Sequence, residues 1–101
     1  MRILMSQFEQ ASAAYATAND IERDADWFVL KMQEELGELT QVWNRISGRA
    51  RKKGMTAEEM VQALADETAD MLGHVLLFAR HNNLDLAAAI ERKWRFRPDW
   101  V

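Results

Sequence analysis

Glu34-Glu35-Leu36-Gly37-Glu38 and, about thirty residues later, Glu67-Thr68-Ala69-Asp70 set four carboxylates in two helical pairs. Positions three or four apart share a helix face, so Glu35 points with Glu38 and Glu67 with Asp70. Both pairs stand among apolar residues: Phe28, Leu30, Met32, Leu36, Leu39 and Val42 around the first, Met71, Leu72, Val75 and Leu76 beside the second. Carboxylates on a core-facing stripe are costly unless paired or bound to a cation. Two such helices packed antiparallel bring four oxygen-bearing side chains to one point, a site for a hard cation, most simply Mg²⁺, with Mn²⁺ as the alternative. A Glu-Glu-x-x-Glu string standing alone reads as a solvated face. The second pair at the same spacing, and the apolar neighbours of both, argue for the metal instead. Glu34, about 100° round the helix from Glu35, turns toward solvent or the edge of the site. His74, one turn past Asp70, reads first as a hydrogen-bonded core or rim residue and second as a ligand. The Glu-x-x-His spacing of carboxylate di-iron bundles is missing, since Met71 stands three before His74.

The elements that must position these groups are helical throughout. The single proline, Pro98, falls near the end, and no alternating strand pattern or Asn-Gly hairpin appears. A first helix is predicted over residues 3 to 18, with Ile3, Leu4, Phe8, Ala11 and Tyr15 near helical spacing, broken at Asn19-Asp20. A second starts after the N-cap Asp24 and runs to Ser47-Gly48. A basic loop, Arg49 to Gly54, follows. Thr56, with Glu59 three positions on, forms a capping box for a third helix reaching Asn82. Asp85 caps a fourth that ends before Pro98. The expected fold is all-α, a four-helix bundle, with residues 1–101 forming one domain.

Composition excludes several classes. The chain has 101 residues, 49% of them hydrophobic, enough for one modest core. The absence of cysteine removes disulfides and thiolate metal sites. The first residues lack the apolar core of a signal peptide and no run is long enough to span a bilayer, so a cytoplasmic protein without a membrane partner is expected. A net charge of -3 gives no general pull toward nucleic acid. The glycine-rich phosphate loop is absent as well, because Gly48 and Gly54 flank a basic segment without the Walker pattern.

Glu34-Glu35-x-x-Glu38 followed by Glu67-x-x-Asp70, with Leu-Gly-Glu-Leu after the paired glutamates and Asp70-Met71-Leu72-Gly73-His74 downstream, resembles the MazG-like all-α nucleoside triphosphate pyrophosphohydrolases. The resemblance runs from about Trp27 to Pro98. It implies hydrolysis of a nucleoside triphosphate between the α and β phosphates, giving a monophosphate and pyrophosphate, in a role such as clearing aberrant nucleotides. It also implies Mg²⁺ coordination by Glu35, Glu38, Glu67 and Asp70, catalytic roles for Glu34, Glu35 and Glu38, and assembly as a homodimer or homotetramer with sites completed across subunits. The family often places a lysine and an arginine at the end of the last helix to contact phosphates; Lys93 and Arg97 match, although Trp94 stands where many members carry asparagine. The residues alone allow another role for this pair, since cations in a last helical turn complement the helix dipole.

Other side chains complete the candidate site. Lys31, one turn before Glu35, pairs with that glutamate or reaches a phosphate. Trp27, two turns before Glu35, is the candidate for stacking on a nucleobase, while Trp43, Trp94 and Trp100 read as core or interface residues, Trp100 as an interface anchor. Arg49, Arg51, Lys52 and Lys53 read as a solvated loop. Two functions are open on these observations: a metal-dependent nucleotide pyrophosphohydrolase, and a non-catalytic helical interaction or regulatory module with a structural metal site.

Overall fold

Four helices, α1 (Arg2–Ala18), α2 (Ala25–Ile46), α3 (Ala57–His81) and α4 (Leu86–Trp94), follow one another in a computed structural model that describes residues 1–99. No strand occurs among the described residues, so the architecture is all-α. Trp100 lies outside them. The caps account for the boundaries. The Asp24 carboxylate accepts from the Trp27 backbone N–H at 2.8 Å, and that of Asp85 accepts from the Ala88 N–H at 3.0 Å. At α3 the reciprocal box forms: Glu59 N–H donates to the Thr56 hydroxyl at 3.1 Å, and Thr56 N–H donates to the Glu59 carboxylate at 2.8 Å. Asp20 takes a left-handed φ of 53° beyond α1. Gly48 does so at 84° beyond α2, a conformation that glycine adopts without steric cost.

The core lies between α2 and α3. Phe28 and Val42 of α2 and Met60, Leu76, Leu77 and Ala79 of α3 are buried, joined by Ala16 of α1. The pair is antiparallel: Phe28 stacks on His81 with ring centroids 4.2 Å apart, and further along α2, but earlier on α3, Glu35 meets His74. α1 lies against α3, so close at Gly73 that a β-carbon there would fall 2.7 Å from the Phe8 ring. Its other anchor comes from the linker before α2. Arg23 donates to both carboxylate oxygens of Glu9, at 3.0 and 2.7 Å, and to the Ser12 hydroxyl at 3.2 Å. That hydrogen bonding holds the Glu9 carboxyl below its ordinary pKa.

Three expectations change. α4 stops at Trp94 rather than continuing toward Pro98, because Arg95 turns left-handed at φ 65°. Lys93 and Arg97 therefore do not sit one turn apart on a helix. α4 also buries no residue of its own, so the packed unit is three helices and the fourth is an appendage rather than an equal bundle member. Finally, Leu30, Leu36 and Leu72, read as part of the apolar stripe around the acidic pairs, are exposed. The stripe is narrower than the sequence implied: Phe28, Glu35 and Val42, spaced by seven, are the residues of α2 that face inward and are buried. No helix among the described residues is long and apolar enough to cross a membrane.

Candidate metal centre and adjoining cavity

The antiparallel packing of α2 and α3 brings the two acidic pairs together. Glu35, Glu67 and Asp70 each offer a carboxylate oxygen within 4.8 Å of the others, and Glu34, Glu35 and Glu38 form a second such group. Glu35 belongs to both and is the buried member; Glu67 and Glu38 are half-buried, Glu34 and Asp70 exposed. The five side chains grade from interior to solvent.

Electrostatics record the crowding. Burial pushes the Glu35 carboxyl up to about 7, and the nearby charges of Glu38 and Asp70 add to the rise, against a smaller opposing pull from Lys31. Glu67 is also raised, by burial first and then by Glu38 and Asp70. Glu38 thus acts on carboxylates of both helices, as like charges at short range must. His74 shifts the other way: burial and the Lys31 charge hold it below its ordinary value. Its Nε2 lies 3.6 Å from Glu35 Oε1. With the imidazole disposed to be neutral and the carboxyl resisting ionisation, this contact is not an ion pair near pH 7, and it is too long for a good hydrogen bond. Lys31 Nζ stands 3.3 Å from Glu34 and 3.8 Å from Glu35. It is the cation that bridges the exposed and buried glutamates.

Among the described residues, three buried polar atoms have no hydrogen-bond partner: Glu35 Oε2, Glu67 Oε2 and His74 Nδ1. Buried polar groups are nearly always paired, and an unpaired one costs on the order of 1–3 kcal/mol. Two of the three are carboxylate oxygens in the same cluster. Oxygen donors from two helices, crowded and unsatisfied, could hold a metal ion.

A cavity of about 390 Å³ adjoins the cluster. Trp27, Lys31 and Glu35 of α2 line it together with Asp70, Gly73 and His74 of α3. Trp27 presents its ring edge-on to His74 at 5.9 Å, with Arg23 at 5.9 Å and Lys31 at 6.0 Å from the ring centroid. The far wall comes from α1 through Phe8, Ser12 and Tyr15. That wall was the part missed from sequence: the spacing 8, 12, 15 marks a helix face, yet nothing in it distinguishes a cavity lining from core.

The structure therefore gathers Glu34, Glu35, Glu38, Glu67, Asp70, Lys31 and Trp27 in one place. Lys93 and Arg97 stand elsewhere. Lys93 is exposed, and Arg97 lies 3.9 Å from Glu91 beside a larger cavity of about 680 Å³ between the start of α1 and α4. Neither lines the acidic cavity. Arg49, Arg51, Lys52 and Lys53 are exposed, as a solvated loop should be. No family model matches this chain, and no curated protein or solved structure does.

Proposed function

We propose that this chain is a metal-dependent nucleotide pyrophosphohydrolase, cleaving a ribo- or deoxyribonucleoside triphosphate to the monophosphate and pyrophosphate. The observation that carries the proposal is the pair of buried carboxylate oxygens, Glu35 Oε2 and Glu67 Oε2, unsatisfied within one acidic cluster. The resemblance of the Glu34–Glu38 and Glu67–Asp70 segments to MazG-like enzymes supports the same chemistry. Glu35, Glu38, Glu67 and Asp70 would hold the metal. When bound, Mg²⁺ or Mn²⁺ neutralises triphosphate charge and polarises the α-phosphoryl group.

The chain's own groups divide the remaining work. Lys31 meets the phosphates, drawn from its contacts with Glu34 and Glu35. Glu34, exposed at the rim, orients the attacking water. The cavity behind Trp27 takes the nucleoside, with the indole as a stacking surface. Water adds to the α-phosphorus, the bond to the bridging oxygen breaks, and pyrophosphate departs.

The test is a panel of nucleoside triphosphates incubated with the protein and Mg²⁺, with products separated by ion-exchange chromatography. Equal amounts of monophosphate and pyrophosphate are expected, and Glu38→Gln should give none. Release of diphosphate and orthophosphate would defeat the assignment. Absence of turnover together with retained Mg²⁺ binding would mark the chain as a non-catalytic module with a structural metal site.

A further inference from the structure

We propose that the loop between α2 and α3 is a docking surface for a single strand of nucleic acid, held through its phosphates by Arg49, Arg51, Lys52 and Lys53 and through a stacked base by Trp43. The net charge of -3 hides a strong segregation. No aspartate or glutamate occurs between Glu38 and Glu58, and Arg45, Arg49, Arg51, Lys52 and Lys53 all fall in that stretch. It carries five positive charges and the remainder of the chain a net eight negative. Averaged over the chain, the pull toward a polyanion vanishes. At this loop it does not.

The loop has a defined backbone. The Arg49 and Ala50 N–H groups both donate to the Asn44 carbonyl, at 2.8 and 3.0 Å, which folds the chain back onto the last turn of α2 beside Trp43. Gly48 reverses the backbone at φ 84°, and Lys53 and Gly54 reverse it again at 53° and 76°. Lys53 thus holds a left-handed conformation that glycine or asparagine adopts more readily, and local folding gives no reason for a lysine there. All four loop cations are exposed. Among the described residues Arg23, Lys31, Arg80 and Arg97 each face a glutamate, whereas none of the loop four forms an ion pair. Glu59, at the start of α3, is engaged by Thr56 instead. Arg45 is set apart, since a cation in the last turn of α2 complements the helix dipole.

The neighbouring side chains select the occupant. Unpaired cations attract phosphates, and the planar fork of arginine suits them. An acidic polypeptide supplies the same charge but not the flat ring that an exposed indole takes up, and Trp43 is 51% exposed. A cationic track beside an aromatic platform binds single strands without sequence preference, and the platform needs an unstacked base that a duplex does not present. A bilayer surface fits less well: between Gly48 and Gly54 the loop has no apolar side chain larger than that of Ala50 to insert among acyl chains. Phosphate and base face are common to RNA and DNA, so the surface does not read the sugar. From Glu35 to Ser47 the helical rise covers about 18 Å. The loop is therefore separate from the acidic cavity, and the proposal is independent of the hydrolysis assigned there.

The probe is a short labelled oligothymidylate, titrated with the whole chain in EDTA so that no metal bridges phosphate to the acidic cluster, and read by fluorescence anisotropy. Four phosphate contacts give a slope of about -3 in log affinity against log salt, a loss of about fiftyfold between about 50 and 200 mM. Arg51→Gln and Lys52→Gln should each take about 0.7 from that slope. Replacing all four loop cations with glutamine should abolish binding with the helical circular dichroism kept. Oligouridylate should bind as oligothymidylate does. Binding should quench tryptophan fluorescence, and Trp43→Phe should remove that quenching. Absence of binding at about 50 mM salt overturns the proposal. So does tighter binding of a duplex, equal affinity for polyglutamate, preference for anionic vesicles, or affinity that survives the fourfold variant. Should the fourfold variant not fold, the slopes of the single variants decide.

Discussion

Glu35 and Leu36 are neighbours in sequence and opposites in environment. The carboxylate is 6% exposed and the leucine 51%, the reverse of where the two residue types usually lie. A buried carboxylate without a full set of partners and an exposed leucine in a charge-free row are both unfavourable in an isolated chain, and for different reasons. The first lacks something charged, the second something apolar. One side of α2 thus gathers buried carboxylates that could hold a metal ion, and the other presents an apolar row to solvent. A single helix can serve both because its faces repeat independently every seven residues.

The largest effect should come from the acidic side. Replacing Glu38 or Asp70 with alanine is expected to abolish Mg²⁺-dependent hydrolysis, at least a hundredfold loss, with the helical fold kept and metal-free stability unchanged or slightly raised. Removing one carboxylate relieves repulsion on Glu35 and Glu67 while taking away a ligand. Thermal melts with and without Mg²⁺ check this: wild type should gain stability with the ion and the variants should not. Equal Mg²⁺ stabilisation of Asp70→Ala and wild type would reduce the cluster to a surface ion network. Leu36→Glu, by contrast, should retain the Mg²⁺ response, which would show that the two faces act separately.

The pH dependence of metal-free stability follows next. Glu35 has a folded pKa near 7 against 4.5 for the free group. Between those values the folded chain holds a proton that the unfolded chain has released. Stability therefore falls as pH rises from about 4.5 to 7, and the penalty is complete above 7. Chemical denaturation in EDTA across this window should show the slope, and Glu35→Gln should flatten it. Mg²⁺ competes with that proton, so its stabilising effect should grow over the same interval. A melt independent of pH in EDTA would mean that Glu35 is better solvated than its burial implies.

Glu9 makes the matching comparison within the carboxylates. Its pKa is lowered by the Arg23 hydrogen bonds, so its contribution is present above 4.5 and is lost as pH falls through the folded value. Glu9→Gln should cost about 1–2 kcal/mol near neutrality, the range of a partly buried charge-assisted pair, and should remove part of the acid limb of the stability curve. Because the same pair ties α1 to the linker before Trp27, the variant should also loosen the cavity wall. Quenching of tryptophan fluorescence by acrylamide is the readout.

The helices and their starts were legible because caps are local: Asp24, Thr56 with Glu59, and Asp85 each act on an N–H three residues away. The meeting of the acidic pairs was legible too, since three-residue spacing on two neighbouring helices leaves few other arrangements. What the sequence concealed was not local. Leu36 and Leu72 look like core until the direction of α1 is known, and α1 takes only one side of the hairpin. The end of α4 was hidden for a different reason: Arg95 adopts a left-handed φ without the glycine that usually announces one. Lys93 and Arg97 consequently lost the spacing that made them a pair.

The smallest expected effects separate two glycines of the α2 region. Gly37 sits inside α2, and a β-carbon built there meets nothing within 4 Å. Glycine in a helix interior is about 1 kcal/mol worse than alanine, so Gly37→Ala should stabilise an isolated chain by roughly that amount. Gly48, just beyond α2, has equal space but φ of +84°, and alanine there must adopt a left-handed backbone at a cost of about 1 kcal/mol. The same substitution should thus change sign over eleven residues, and the cause is backbone conformation alone. Urea denaturation of the two variants checks this, and a stability change of the same sign at Gly37 and Gly48 would mean that backbone conformation does not decide the outcome.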